Sequence, residues 1–592
     1  MKKPKYKAKN AKQTLRTLWQ FIEKERYRVI CLWVLTIVST GLGLMAPNLI
    51  GKSIDALVGG SSGFISKHFL WLLGLLIVVY VMDASVSFIQ EWLMAGVSQR
   101  IVAKMRTKLF DKFQKLPLVY FDTKAHGDLM SRFTNDLDLV SGAISQTVIQ
   151  LMNAILVLVG ALGMMFYLSP KLTLVSAIVL PLFYILTRMI TSRTGKYYKD
   201  QQAALGALNA QIEESISGVA VIKAFGHEEE TIVEFEKLND NYRKIGRKVL
   251  FISGFLMPFM NIINNVGFVC VALMGGLMAY HGEITIGLIT SFLAYTRQFS
   301  RPLVNLANIY NTLQGAIAGA ERYFEVLLTE EDLRLGIEKS NEPLQKASIR
   351  FEKVSFAYNP ETPILKEVSF EIPAGGKLAL VGATGAGKTT IVNLLCGFYT
   401  PTSGHIWIGE QELSRIDQQT LSEWIGIVLQ DTYLFSGSIA ENIKYGSEGA
   451  SDKSLWEAAE FSNAVHFIKA LPDGINSHLQ EGANNLSQGQ RQLLSIARAV
   501  LRPSQILVLD EATSNIDTRT EKQVQLAVGR WMKGRTNVVI AHRLSTIRDA
   551  DHILVLDNGQ IVEQGNHESL RLQNGIYETL YINSLGETSC IE

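Results

Sequence analysis

The sequence predicts a multi-domain chain of two classes: an α-helical transmembrane domain of six spans, followed by an α/β P-loop domain with a largely parallel sheet. Three observations carry this expectation. Six apolar segments, near 29–50, 69–90, 143–168, 172–190, 251–280 and 284–310, each approach or exceed the roughly 20 residues a spanning helix needs. From Ile349 onward, short β-like runs (Val368 to Ile372, Leu378 to Val381, Ile425 to Leu429, Ile506 to Leu509, Val538 to Ile540, Ile553 to Leu556) alternate with helical stretches. Between the two textures, around Glu330 to Ala347, the chain turns polar, which places the boundary so that residues 1–335 form the transmembrane domain and 336–592 the second domain.

Length and composition agree with more than one domain. At 592 residues the chain exceeds a single ordinary domain. A net charge of +2 gives no reason to expect nucleic acid or a strongly acidic substrate. Cys31, Cys270, Cys396 and Cys590 are scattered without metal-ligand or disulfide-framework spacing, so they read as small apolar residues.

Taken in order, the lysine-rich start (Lys2, Lys3, Lys5, Lys7, Lys9, Lys12) leads into an amphipathic-looking stretch from Thr14 to Arg28. A secretory signal would bring its apolar core sooner, so the N-terminus is expected to be retained in the cytoplasm. No protease domain is expected ahead of the first span. The links between spans alternate short and long, and both long links are basic, with Arg100, Lys104, Arg106, Lys108, Lys112 and Lys115 in one and Arg193, Lys196, Lys199, Arg243 and Lys244 in the other. The positive-inside rule places both in the cytoplasm, and their scarcity of proline predicts helical rods projecting past the bilayer. Asp83 falls inside the second span, where a carboxylate costs about 2.5–3.5 kcal/mol to insert. It is a candidate contact for a cation or substrate, with a place near the water interface as the alternative. Asn261, Asn264, Asn265, Arg297 and Arg301 are polar enough to face a cavity or to hydrogen-bond between helices.

The second domain carries the chemistry. Leu378-Ala379-Leu380-Val381 precedes Gly382-Ala383-Thr384-Gly385-Ala386-Gly387-Lys388-Thr389, and a helix-like run follows. Glycines let the backbone curl so that successive N–H groups point at a phosphate, and the helix behind adds its positive end. Lys388 can then reach the terminal phosphates, and the Thr389 hydroxyl is placed for Mg²⁺. Downstream, Ile506-Leu507-Val508-Leu509-Asp510-Glu511 is a buried-type strand ending in two acids, Asp510 for the Mg²⁺ shell and Glu511 for an attacking water. Between them stands Leu486-Ser487-Gln488-Gly489-Gln490, followed by a helical stretch.

With these residues in place, the C-terminal part resembles an ATP-binding-cassette (ABC) ATPase, which inserts a signature of this kind between its two nucleotide motifs. The resemblance implies ATP and Mg²⁺ as ligands and assigns further residues. Tyr358 would stack on adenine. Thr384, Ala386 and Thr390 would join the phosphate loop. Gln430 would sense Mg²⁺ and the attacking water, His542 would contact the γ-phosphate, and Asp517 would meet the facing subunit. The N-terminal half resembles the exporter type of the same family. Phe121 to Arg132, with Asp136 following, looks like a first coupling loop, and Glu213 to Phe225 like a second.

What the resemblance implies is a half-transporter in a cell membrane, multi-pass, with the N-terminus and ATPase domain cytoplasmic. It would work as a dimer exporting amphipathic small molecules or lipids by alternating access, with membrane lipid as a neighbour and no nucleic acid. One departure bears on the partner. The family pattern is Ser-Gly-Gly-Gln, where close backbone approach favours glycine, and this chain has Ser487-Gln488-Gly489-Gln490. Intact catalytic acids with an altered signature resemble the consensus-site subunit of bacterial heterodimeric multidrug exporters, whose partner would have a degenerate catalytic acid. Asn515-Ile516 in place of the family's usual Ala-Leu is a second, weaker departure. A homodimeric lipid or drug flippase and an ATP-gated regulatory or channel-like subunit are the alternatives.

Overall fold

A computed structural model describes residues 11–21, 25–58, 67–177, 179–332, 334, 337, 344, 347–429, 432–447, 449–510, 518–540 and 547–588. The chain divides into two compact units, one of residues 1–112 and 126–329, the other of 113–125 and 330–592.

The first unit is built from long helices: α1 (Arg26–Val58), α2 (Lys67–Phe113), α3 (His126–Leu168), α4 (Val179–Ser217), α5 (Glu228–Tyr280) and α6 (Ile286–Leu328). In hydrocarbon a helix satisfies its own backbone polar groups, so apolar runs of this length settle as helices. Among the described residues, α1, α2, α3 and α5 are long and apolar enough to cross a membrane. The expected spans at 172–190 and 284–310 are less clear-cut. The former is divided between Pro170–Ser176 and α4, with residue 178 outside the described residues. The latter carries Arg297, Gln298 and Arg301 in the first half of α6.

The first and last of these helices are joined through α1's proline. Pro47 has no N–H, so the Gly43 carbonyl loses its intrahelical donor. Gln298 Nε2 supplies one at 3.2 Å, Tyr295 OH donates to the Leu44 carbonyl at 2.5 Å, and Ser291 Oγ donates to the Pro47 carbonyl at 2.9 Å. Residues 291, 295 and 298 share one face of α6, as the helical repeat requires. One turn further along, the backbones nearly touch: a Cβ on Gly287 would lie 2.0 Å from the Gly51 carbonyl oxygen. Small residues are what permit such an approach between membrane helices. Asp55 completes the seam by accepting from Gly287 N–H and Thr285 Oγ, each at 2.7 Å.

Near the other end of α6, Asp136 is buried beside Arg322, whose Nε donates to it at 2.6 Å. It closes one of two π-helical turns in α3, Arg132–Asp136 and Ala143–Thr147. Asn261, Asn264 and Asn265 lie on α5. Arg297 is exposed, with its guanidinium 5.3 Å over the Phe268 ring. The Arg301 side chain lies outside the described residues.

The second unit has β1 (Ile349–Phe356), β2 (Leu365–Ile372), β3 (Lys377–Gly382), β4 (Ser403–Ile408), β5 (Gln411–Glu412), β6 (Ile425–Val428), β7 (Gly437–Ser438), β8 (His478–Leu479), β9 (Ile506–Asp510), β10 (Thr536–Ile540), β11 (His552–Asp557) and β12 (Gln560–Gly565). An antiparallel sheet runs β2-β1-β4-β5, and a six-stranded sheet runs β12-β11-β3-β10-β9-β6. In the latter β11, β3, β10, β9 and β6 are mutually parallel, and β12 is antiparallel at the edge. Every residue of β9 and β10 is buried, as expected of parallel strands covered on both faces. Helices α7 (Lys388–Leu395), α8 (Gln488–Val500) and α9 (Thr518–Met532) pack around this sheet, Leu493 and Ile496 of α8 and Trp531 of α9 sharing one core with Leu507 and Leu509.

Candidate nucleotide site

The parallel strands fix where the predicted residues converge. Ile540 pairs with Leu380 on one side and with Asp510 on the other, so β10 stands between the strand that enters the glycine loop and the strand that ends in the acid. At about 4.8 Å per strand step, Leu380 and Asp510 are about 10 Å apart along the carboxyl edge of the sheet. Ligands of open parallel sheets bind at that edge. The Asp510 carboxylate acts on Lys388 electrostatically, which is consistent with this separation.

The glycine loop has the backbone its sequence calls for. Gly385 and Gly387 take φ of 84° and 103°, in the left-handed region that costs a side chain dearly. A Cβ on Gly382 would also meet the Leu556 carbonyl oxygen at 2.2 Å, so this position is closed to larger residues by β11 as well. Nothing lies within 4 Å of where a Cβ on Gly385 would stand, leaving the mouth of the loop open. Ala386 is buried beneath it, and Thr384 is exposed. Lys388 is buried and curls back over the loop, donating to the carbonyls of Gly382 at 2.7 Å and Ala383 at 2.8 Å. Burial lowers its pKa from the ordinary lysine value, and the Asp510 charge opposes that shift. Thr389 is exposed at the start of α7, and Thr390 is buried with its hydroxyl 3.4 Å from Tyr358 OH.

Tyr358 is half-exposed and held by edge-on contacts with Phe356 and Tyr399 and by a bond from Asn393 Nδ2 at 3.1 Å. The signature residues form the start of α8. Ser487 is its N-cap in a reciprocal capping box, its Oγ accepting from Gln490 N–H at 3.3 Å while Gln490 Oε1 accepts from Ser487 N–H at 3.0 Å. Gly489, the second residue of α8, is buried, whereas Gln488 before it is exposed to solvent. Gln430, Glu511, Asp517 and His542 lie outside the described residues; β6, β9 and β10, which lead into the first, second and fourth of them, all end on the carboxyl edge.

A pair that sequence reasoning missed joins the second unit. The short helix Leu118–Asp122 belongs to it, and the Tyr399 hydroxyl donates to Asp122. Burial, with Asp122 adding to it, pushes the Tyr399 phenol far above its ordinary value. Asp332 N–H also donates to the Lys115 carbonyl at 2.9 Å. The partners stand 277 residues apart, and no local pattern announces them.

Comparison with known proteins decides the family. Residues 29–303 match the family described as ABC transporter transmembrane region, and residues 365–514 match the family described as ABC transporter. A Bacillus subtilis (strain 168) protein named "Uncharacterized ABC transporter ATP-binding protein YfiC" is 44% identical over 98% of this chain and 95% of its own length. The chain belongs to the ABC transporter family. Other ABC relatives include the "Fatty acid ABC transporter ATP-binding/permease protein" of Mycobacterium tuberculosis (strain CDC 1551 / Oshkosh), 42% identical over 85% of this chain and 80% of that one. The "ATP-dependent lipid A-core flippase" of Syntrophus aciditrophicus (strain SB) is 38% identical over 86% of this chain and 85% of that protein.

This ABC transporter is a half-transporter of the exporter type, a multi-pass membrane protein whose ABC domain binds and hydrolyses ATP to drive export. Its glycine loop fits a triphosphate, since the open mouth at Gly385, the amides of the curled backbone and the start of α7 all suit an anion.

Proposed function

We propose that the chain exports amphipathic small molecules or lipids as one subunit of a heterodimeric ABC exporter in the cell membrane, with its N-terminus and ATPase domain in the cytoplasm. In this reading residues 1–335 supply six spans and residues 336–592 the ATPase domain. The glycine loop from Gly382 to Thr390 holds the phosphates, and Tyr358 stacks on adenine. Thr389, Gln430 and Asp510 offer the oxygen donors that Mg²⁺ prefers, and Glu511 and His542 act on the attacking water and the γ-phosphate. Ser487 to Gln490 and Asp517 face the nucleotide held by the partner. The relatives' names, a fatty acid transporter and a lipid A-core flippase, favour an amphipathic cargo.

The observation that carries the heterodimer is Gln488. It stands at the first position of α8 with its side chain in solvent, on the surface that a partner's nucleotide would approach. A second feature supports a partner of some kind: the short helix Val219–Phe225 buries none of its residues, and Val221 and Phe225 are exposed. Exposed apolar side chains clustered on one short helix suit a docking contact.

Gln488→Gly tests the reading. If the partner has a degenerate acid and a sound signature, the substitution repairs one of two faults in the slow site, and total ATP hydrolysis changes little. In a homodimer both sites contain Gln488, and the same substitution raises hydrolysis substantially. The chain expressed alone should have little transport activity. Robust substrate-stimulated ATPase from the purified single chain, rising further in Gln488→Gly, removes the heterodimer.

A further inference from the structure

Within the first unit, α1, α2, α3 and α6 line an open cavity of about 730 Å³, a size suited to a drug-like molecule. Its polar lining includes Ser39, Asp83, Asn153, Gln298, Asn305 and Asn308. Leu44, Val157 and Ile309 add apolar surface to the same lining. Two of the polar groups are acceptors with capacity to spare. Asp83 receives one hydrogen bond on Oδ1, from Ser39 Oγ at 2.6 Å, and its Oδ2 has no hydrogen-bond partner among the described residues. Gln298 has its amide nitrogen committed to the Gly43 carbonyl, and its Oε1 is buried without a partner. Asp83 is the one charged residue lining the cavity among the described residues. Arg297, next in the chain to Gln298, is turned to the Phe268 ring.

We propose that this cavity is a cation-binding subsite in which Asp83 and Gln298 recognise a protonated amine on an amphipathic compound. The inference rests on the reading that the chain exports amphipathic compounds, and it names their charge. A carboxylate or phosphate head would meet Asp83 as a like charge at short range and would leave the Gln298 acceptor unpaired, whereas an ammonium supplies both the opposite charge and the missing donors. The apolar lining residues take the ligand's hydrocarbon part. The cargo class expected here therefore differs in sign from a fatty acid.

The test uses the full transporter in lipid nanodiscs with three probes of equal chain length and different heads, namely decylamine, decanol and decanoate, each below its micellar concentration at pH 7. Binding and stimulation of ATP hydrolysis are measured in the nanodiscs, and ATP-dependent transport of the same probes is measured in proteoliposomes. Decylamine should bind at least about tenfold more tightly than decanoate, and Asp83→Asn should reduce that preference to within a fewfold, with decanol binding changing less than that of decylamine. Asn305→Lys puts a positive charge in the lining of the same cavity without altering Asp83, and it should reverse the order. It also keeps the proposal testable should Asp83→Asn fail to fold. Equal binding of the three probes by the wild type, or an unchanged order in both variants, overturns the subsite. Charge-selective binding that depends on Asp83 but stimulates no hydrolysis and no export upholds the subsite and removes the export reading instead. Export of the three probes without regard to charge does the opposite.

Discussion

Glu511→Gln is expected to lower ATP hydrolysis by at least about 10²-fold, the low end for a positioned general base, while ATP still binds. The loss corresponds to about 2.7 kcal/mol of transition-state stabilisation. Its physical ground is the strand that delivers the residue. β9 is buried at every position and bonded to a parallel neighbour on each side, β10 and β6, so Asp510, which precedes Glu511 in the chain, is held firmly at the carboxyl edge. An amide in place of the carboxylate keeps the shape and the bond to water but no longer takes its proton. Single-turnover hydrolysis, measured beside nucleotide binding, separates the two effects. Turnover within a fewfold of wild type takes Glu511 out of the catalytic role.

Gly287→Val is expected to be the most damaging substitution in the membrane unit. Its Cβ would stand 2.0 Å from the Gly51 carbonyl oxygen and 2.7 Å from Asp55 Oδ1, so α1 and α6 must separate and both bonds to Asp55 are lost. Overpacking and the loss of charge-assisted hydrogen bonds together cost on the order of 4 kcal/mol, a large share of the about 5–15 kcal/mol that holds a domain. The measurement is the unfolding midpoint and the monodisperse yield in detergent. Gly276→Val is the control, because nothing lies within 4 Å of its Cβ position. Equal behaviour of the two variants shows that the seam does not hold the helices together.

The parts legible in the sequence are those written in contiguous residues. Leu378 to Leu395 spells strand, loop and helix because an apolar run, glycines and a helical run follow one another without a break, and the structure has β3, the loop and α7 in that order. The helical stretch after the signature is also legible, although the helix starts earlier, at Gln488, with Ser487 as its N-cap. What stayed hidden is what depends on residues distant in the chain. Asp83 was conspicuous as an acid among apolar neighbours, but its Ser39 donor is on another helix, and no periodicity of α2 points to it. Tyr399 and Asp122 are likewise invisible to a reading that moves along the chain. Span counting loses certainty for a related reason: α6 keeps Gln298 because Gly43 needs its amide, and that partner lowers the apolar signal by which a span is recognised.

The bonds around Pro47 also set an order of events during synthesis. The carbonyls of Gly43, Leu44 and Pro47 leave the ribosome about 250 residues before Ser291, Tyr295 and Gln298, which cap them. In the interval the Gly43 carbonyl has no intrahelical donor, a costly condition in hydrocarbon. The first span is therefore an unfinished helix until the last one arrives.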